Sequence, residues 1–300
     1  MSLPKEPFFA LCRAHQQAVP QRNPHYDEFY NRYWDSQGSW LQLLAGDDGY
    51  LSLCLGQKEG LTAEPQAQIY ELWASQAELQ KQLLEQAEGC ARRNGSQFLV
   101  CQLPPGHPLE GPLSEAGFAV EIERIQKEVT GLRQPGQRLT IRPARPNDRL
   151  FILGLIRRTC ANTKPAGREI SAPRMLEIFF ESYQSLDFAG DPELITLIAE
   201  TPGRARAIAY LVVRLGLSEE PDPATFAYIY DIAVHPDHWG KRAPHDLLFR
   251  AEQLLKERGI HRLVADISAS NRRAFLTATK SLGYGLASRR WAKCLGNCNS

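Results

Sequence analysis

The stretch YIYDIAVHPDHWGKRAPHDLL, residues 228–248, decides the fold. FAYIYDIAV, residues 226–234, is aromatic and β-branched and reads as the strongest strand of the chain. Downstream, Leu247, Leu248, Ala251, Leu254 and Leu255 share one face of a helix over 243–258, with Gly259 in place to end it. A strand that turns sharply into a helix directs free backbone N–H groups and the positive end of the helix dipole at one point. Such a corner accepts an anion.

Working outward, residues 262–267 read as a strand, 271–282 as a helix and 284–295 as a strand. Upstream, 139–143 reads as a short strand, and 146–162 and 174–183 as helices. The runs 194–199 and 205–215 read as antiparallel strands around Thr-Pro-Gly-Arg. The order β-α-α-β-β-β-α-β-α-β predicts a mixed α/β sheet. Residues 130–138, TGLRQPGQR, have turn formers and no apolar period. They divide the chain into domains at 1–132 and 139–300, with a linker at 133–138.

The front half carries a copy of the back half. Ile69-Tyr-Glu-Leu72 matches Ile229-Tyr-Asp-Ile232 at an offset of 160. Leu83-Leu84, Ala87-Glu88, Gly95 and Leu99-Val100 match Leu247-Leu248, Ala251-Glu252, Gly259 and Leu263-Val264 at 164. Gly117-Phe118, Arg124 and Lys127 match Gly283-Tyr284, Arg290 and Lys293 at 166. Identities in series with a growing offset favour two copies of one fold. Tyr26, Phe29, Tyr30, Tyr33 and Trp34 add one aromatic face of a helix near the N-terminus, and residues 40–44 and 50–55 a hairpin.

The net charge is +1, but it divides unevenly: 10 Lys+Arg against 17 Asp+Glu up to Leu132, and 25 against 17 from Arg133 onward. The basic half is where an anionic ligand belongs. Its arginine pairs (157–158, 272–273, 289–290) are dispersed with little aromatic interleaving, which argues against a nucleic-acid interface. No run approaches the roughly 18 apolar residues of a membrane span, and no secretory signal is visible. Seven scattered cysteines predict reduced thiols and a cytoplasmic protein. Cys294 and Cys298 lack two further ligands, so no metal is expected.

The decisive stretch resembles the core of the GNAT family of acyl-CoA N-acyltransferases. Val234-His235-Pro236 matches the family's V-x-P, Gly240 its first loop glycine, and Leu247-Leu248 its helix pair. Asn271-Arg-Arg-Ala274 and Lys280-Ser-Leu-Gly-Tyr284 resemble its N-x-x-A and K-x-G-F elements. The resemblance covers roughly residues 139–295, and the front copy extends it into two GNAT-like domains in tandem.

It implies acetyl-CoA as co-substrate, held by Ile232, Ala233 and Val234 along a strand edge and by Trp239, Gly240, Lys241, Arg242, Ala243 and Asn271. It implies a primary amine, on a small molecule or peptide, as acceptor. Asp231 stands where the family carries the base for that amine, a position a structural carboxylate also fits. Tyr230, or Tyr228 on the same strand face, is a candidate to protonate the leaving thiolate, though core packing also explains both.

The pattern departs in places. Trp239, Arg242 and Pro244 replace the loop's arginine and later glycines. Counting to the family's usual tyrosine acid reaches Ala278 or Thr279. The front copy is four residues shorter between Glu71 and Leu83 and has no loop glycine. A catalytically inactive module that binds CoA, regulates or scaffolds is therefore the alternative to an N-acetyltransferase.

Overall fold

The computed structural model describes residues 39–44, 48–129, 138–203, 205–216 and 226–296, the first segment as backbone only. The aromatic helix expected at 25–34 and the linker up to residue 137 lie outside the described residues. The elements are β1 (Ser39–Leu44), β2 (Gly49–Lys58), β3 (Pro65–Ala74), α1 (Ala77–Arg93), β4 (Phe98–Leu103), α2 (Glu110–Glu115) and β5 (Ala119–Glu128). There follow β6 (Thr140–Pro143), α3 (Arg149–Thr159), α4 (Ala172–Gln184), β7 (Leu194–Glu200), β8 (Ala207–Leu215) and β9 (Phe226–Val234). The chain closes with α5 (Ala243–Glu257), β10 (Arg262–Ser268), α6 (Arg272–Ser281) and β11 (Gly285–Cys294). The helix expected over 146–162 is α3 between two 3-10 turns, Pro146–Asp148 and Cys160–Thr163.

The chain forms two compact units, Met1–Val120 with Arg289–Ser300, and Glu121–Ser288. In the first, β1, β2 and β3 form an antiparallel run that includes the expected hairpin, β3 pairs parallel with β4, and β11 pairs antiparallel with β4. In the second the strand order is β5-β10-β9-β8-β7-β6. Among the described residues of this unit, the β10–β9 pair alone is parallel.

One face of each sheet is closed by its long helix. Leu83, Leu84, Ala87 and Ala91 of α1 pack in the first core, and Leu247, Leu248, Ala251 and Leu255 of α5 in the second. Both helices end alike. Ser96 N–H donates to Ala91 O and Ile260 N–H to Leu255 O, around Gly95 and Gly259 at φ +75° and +73°. That left-handed residue satisfies the last carbonyls and favours glycine. At the other end of α5, the buried Asp246 accepts N–H groups of Arg138 and Leu139 at 3.1 and 3.0 Å, tying the start of β6 to the helix.

The units cross the division read from the sequence, because each sheet is completed by a strand from the other half. Lys127 of β5 donates to Glu252 at 2.9 Å and lies over the Tyr284 ring. Its repeat equivalent, Lys293 of β11, donates to Glu88 and lies over the Phe118 ring. Since Arg124 and Lys127 recur as Arg290 and Lys293, the local pattern suits either sheet and does not say which partner each strand takes. The second unit adds a buried pair of its own, Arg168 Nε and Nη2 donating to Glu121 at 2.7 and 3.2 Å.

Among the described residues no helix is long and apolar enough to cross a membrane, and no three His, Cys, Asp or Glu side chains group as metal ligands. Cys54, Cys90, Cys101 and Cys160 are free thiols. Cys294 is disulfide-bonded, which departs from the expectation of reduced thiols throughout.

Candidate active site

The site is built on β9, whose regular alternation is interrupted once. Val212 of β8 faces Asp231 and Val213 faces Ile229, so Tyr230 is an extra residue, a β-bulge. The bulge moves Asp231 onto the face that carries Tyr210 and Val212. Strict alternation from the sequence would have set Asp231 opposite Tyr228 and Tyr230. Beyond the bulge β9 also leaves β10: the two pair only at 226–228 with 262–264. Residues 232–234 are therefore splayed from β10. His235 N–H donates to Ile208 O on β8. The N–H and C=O of Val234, one residue earlier, therefore point to the open side.

The loop after β9 makes a 3-10 turn at Pro236–His238, then carries Gly240 at φ +83° and Arg242 at φ +61° before α5 begins. Arg242 thus takes the left-handed conformation that glycine adopts most cheaply. Lys241 N–H is bonded to His238 O, and His245 and Asp246 N–H both turn back to Arg242 O. Among the described residues the N–H groups of Gly240, Arg242 and Ala243 have no partner. They lie at the entry to a 15-residue helix. Pro244, in its first turn, contributes none.

Cationic groups surround this corner. The amine of Lys241 lies 3.1 Å from His238 Nδ1, and Arg158 contacts His235 Nε2 at 3.1 Å. His238 is held below the usual imidazole range by desolvation, then by Lys241, His235 and Arg206. His245 is lowered by burial and by Arg242. Both effects favour neutral rings beside fixed cations.

Trp239 does not plug the loop. Half its surface is exposed (49%), Arg273 stacks 4.7 Å from its ring centroid, and its indole N–H donates to Val234 O at 3.0 Å. It caps one carbonyl of the open edge and leaves the three loop amides free. Of the other expected contacts, Ile232 packs on the core, and Ala233 pairs with Tyr210 on β8. Asn271 is the N-cap of α6: its Oδ1 accepts from Ala274 N–H and its Nδ2 donates to Asn162 O, each at 3.2 Å. Both ends of that amide are therefore engaged within the protein. Ala278 is buried, and the Thr279 hydroxyl donates to Phe275 O, so neither supplies an acid.

Asp231 is held by two residues that the sequence reasoning missed. The Tyr183 hydroxyl donates to Oδ2 at 2.9 Å, and the Tyr210 hydroxyl donates to the same oxygen. Burial raises the Asp231 pKa, and the two tyrosines and the Ile232 N–H oppose that rise. Burial, and then the Asp231 charge, push both tyrosines well above their ordinary range, so they remain donors. Tyr230 is raised by burial and sits 5.4 Å from the Tyr183 ring. The repeat held a signal for one of the missed pair, since Tyr50 precedes Tyr210 by the same 160 residues that separate Glu71 from Asp231.

The family model for the acetyltransferase (GNAT) family matches residues 164–284, which span β9, the loop, α5, β10 and α6. This segment is similar to the GNAT acetyltransferase family. No curated protein matches the chain. A GCN5-related N-acetyltransferase from Sphaerobacter thermophilus is 14% identical, with a TM-score of 0.60 over 96% of this chain and 90% of that one. A tandem GNAT protein from the clavulanic acid biosynthesis pathway is 12% identical, with a TM-score of 0.51 over 100% and 98%. A GNAT-family acetyltransferase from Colwellia psychrerythraea is 10% identical, with a TM-score of 0.50 over 97% and 96%. At such identities these neighbours establish the GNAT fold alone.

Proposed function

We propose that the GNAT domain transfers an acetyl group from acetyl-CoA to a primary amine. The observation that carries this reading is the corner after β9, where three unpartnered N–H groups meet a helix N-terminus beside splayed strands. Gly240, Arg242 and Ala243 would hold the diphosphate, with Lys241 and the Arg242 side chain adding charge in place of the missing glycines and the Pro244 N–H. The pantetheine arm would lie along the open edge at 232–234 as an added strand. The Val234 N–H would polarise the thioester carbonyl. The acceptor amine would give its proton to Asp231, directly or through water, as the N–C bond forms. The C–S bond then breaks, and Tyr230 would protonate the thiolate.

The front unit is proposed as a degenerate GNAT copy that binds no CoA, with its domain limit near the 133–138 linker in sequence. The acceptor is a small-molecule or peptide amine, and neither nucleic acid nor membrane is assigned a role. A cytoplasmic setting accords with the four free thiols and not with the disulfide at Cys294.

A second reading, a CoA-binding module without turnover, is favoured by the indole on Val234 O and by the absence of an acid at Ala278 and Thr279. Calorimetry with acetyl-CoA and thiol release with a panel of primary amines separate the two. The transferase predicts one acetyl-CoA per chain and amine-dependent thiol release. Binding without release supports the module, and no heat at millimolar acetyl-CoA removes both.

A further inference from the structure

We propose that Tyr183 and Tyr210 are positioning residues for Asp231: their hydroxyls pin one carboxylate oxygen and leave the other for proton transfer. This rests on the reading above, in which Asp231 takes the proton of the acceptor amine. Both tyrosines bond Oδ2, and among the described residues no side-chain donor takes Oδ1. Two hydrogen bonds from separate elements fix both the place and the rotation of the carboxylate. Tyr210 comes from β8 and is fully buried, two pairs along the ladder from Val212, which faces Asp231. Tyr183 comes from α4, where its ring lies 5.9 Å from Phe179, 5.8 Å from Phe188 and 5.4 Å from Tyr230. Neither ring can leave without opening the packing around it.

The choice of neutral donors matters. The polar groups acting on Asp231 are Tyr183, Tyr210 and the Ile232 N–H, with Tyr230 and Cys160 coupled to its charge. Arg214 acts on Tyr230, and no Lys, Arg or His among the described residues pairs with Asp231. A carboxylate held in a salt bridge is a weak base because its charge is already neutralised. A desolvated carboxylate held by tyrosines keeps an elevated proton affinity and a fixed direction, which general-base catalysis requires. The transfer balances: the attacking nitrogen loses a proton to Oδ1 while its lone pair forms the bond to the acetyl carbon, and the C–S bond breaks with its electron pair leaving on the sulfur of CoA.

Tyr183→Phe and Tyr210→Phe each remove a donor and keep the ring. The first readout is carbon-13 NMR of the aspartate carboxyls in the full chain, with Asp231 assigned through Asp231→Asn. Each phenylalanine variant should raise the Asp231 midpoint by about one pH unit, a tenfold change in proton affinity, because the lost bond favoured the ionised form. The acid limb of kcat/KM for thiol release should move up in pH by the same amount. A role in packing alone would lower melting temperature without moving either midpoint, and that result in two folded variants overturns the proposal. If one variant does not fold, the other decides by the same criterion. If Asp231→Asn releases thiol as fast as the wild type, the base role falls and the positioning role falls with it. The NMR midpoints still report whether the clamp exists, so the two failures are told apart.

Discussion

The two units keep the same sheet and differ in the turn beside it. Val234 and Ala243 are separated by residues 235–242, whereas only Ser75 and Gln76 lie between Ala74 and Ala77. Yet the front cleft has kept its strand geometry. Ser52 faces Glu71 and Leu53 faces Ile69, so Tyr70 is a bulge as Tyr230 is, and β3 pairs with β4 only at 66–69. Glu71 stands at the repeat position of Asp231, and Tyr50 at that of Tyr210. Strand splay, acidic residue and tyrosine therefore belong to the sheet, and they persist without any loop to hold a phosphate. The proposed anion site belongs to the loop alone.

Exchanging the loop tests this separation and carries the largest expected effect. Replacing residues 235–242 with Ser-Gln, the front unit's connection, should abolish the calorimetric signal for acetyl-CoA, a loss of at least about 100-fold in affinity. Removing two of the three amides, those of Gly240 and Arg242, together with both cations from one anion justifies that scale. Far-ultraviolet circular dichroism should stay near the wild type, because the front unit shows that the sheet tolerates the short turn. Retained affinity would place the donor site elsewhere and dissolve the contrast between the units.

The loop, the strand before it and the leucine-paired helix were legible in the sequence because each is a local pattern: β-branched alternation, V-x-P, a 3.6-residue apolar period. The repeat was legible because several identities recur in order. What stayed hidden depends on chain pairing at a distance. The family resemblance implies a bulge on this strand, but its place at Tyr230 shows no local mark, since FAYIYDIAV alternates smoothly, and without it the face of Asp231 comes out wrong. Tyr183 lies 48 residues from Asp231, and its reach follows from how α4 packs on β9. The exchange of β5 and β11 was unreadable for a sharper reason. Arg124 and Lys127 offer the same chemistry as Arg290 and Lys293, so the sequence contains two equal solutions.

That equivalence yields a prediction of middle size. Lys127→Met and Lys293→Met remove the same cation from corresponding places, but the carboxylates they abandon differ in exposure. The Glu252 side chain is 4% exposed and the Glu88 side chain 16%. A buried carboxylate stripped of its partner is destabilising, and more so where water reaches it less. Lys127→Met should cost about 2 kcal/mol and Lys293→Met about 1 kcal/mol, read as two unequal falls in melting temperature. Equal losses would mean that the two carboxylates are solvated alike and that the units are more symmetric than their exposures indicate.

The smallest expected effect concerns Arg242, the point where the second unit departs most from glycine chemistry. A left-handed residue with a Cβ is disfavoured by about 1–2 kcal/mol, and glycine relieves most of this while widening the unfolded ensemble. Arg242→Gly should therefore raise stability by no more than about 1 kcal/mol, or roughly 2–4 °C in melting temperature. If the guanidinium helps hold a diphosphate, the same substitution weakens acetyl-CoA binding at low salt and flattens its dependence on ionic strength. The two readouts then move in opposite directions, stability up and affinity down. A variant both more stable and tighter in binding would mean that the arginine adds strain without recognition, leaving the backbone amides to carry the anion unaided.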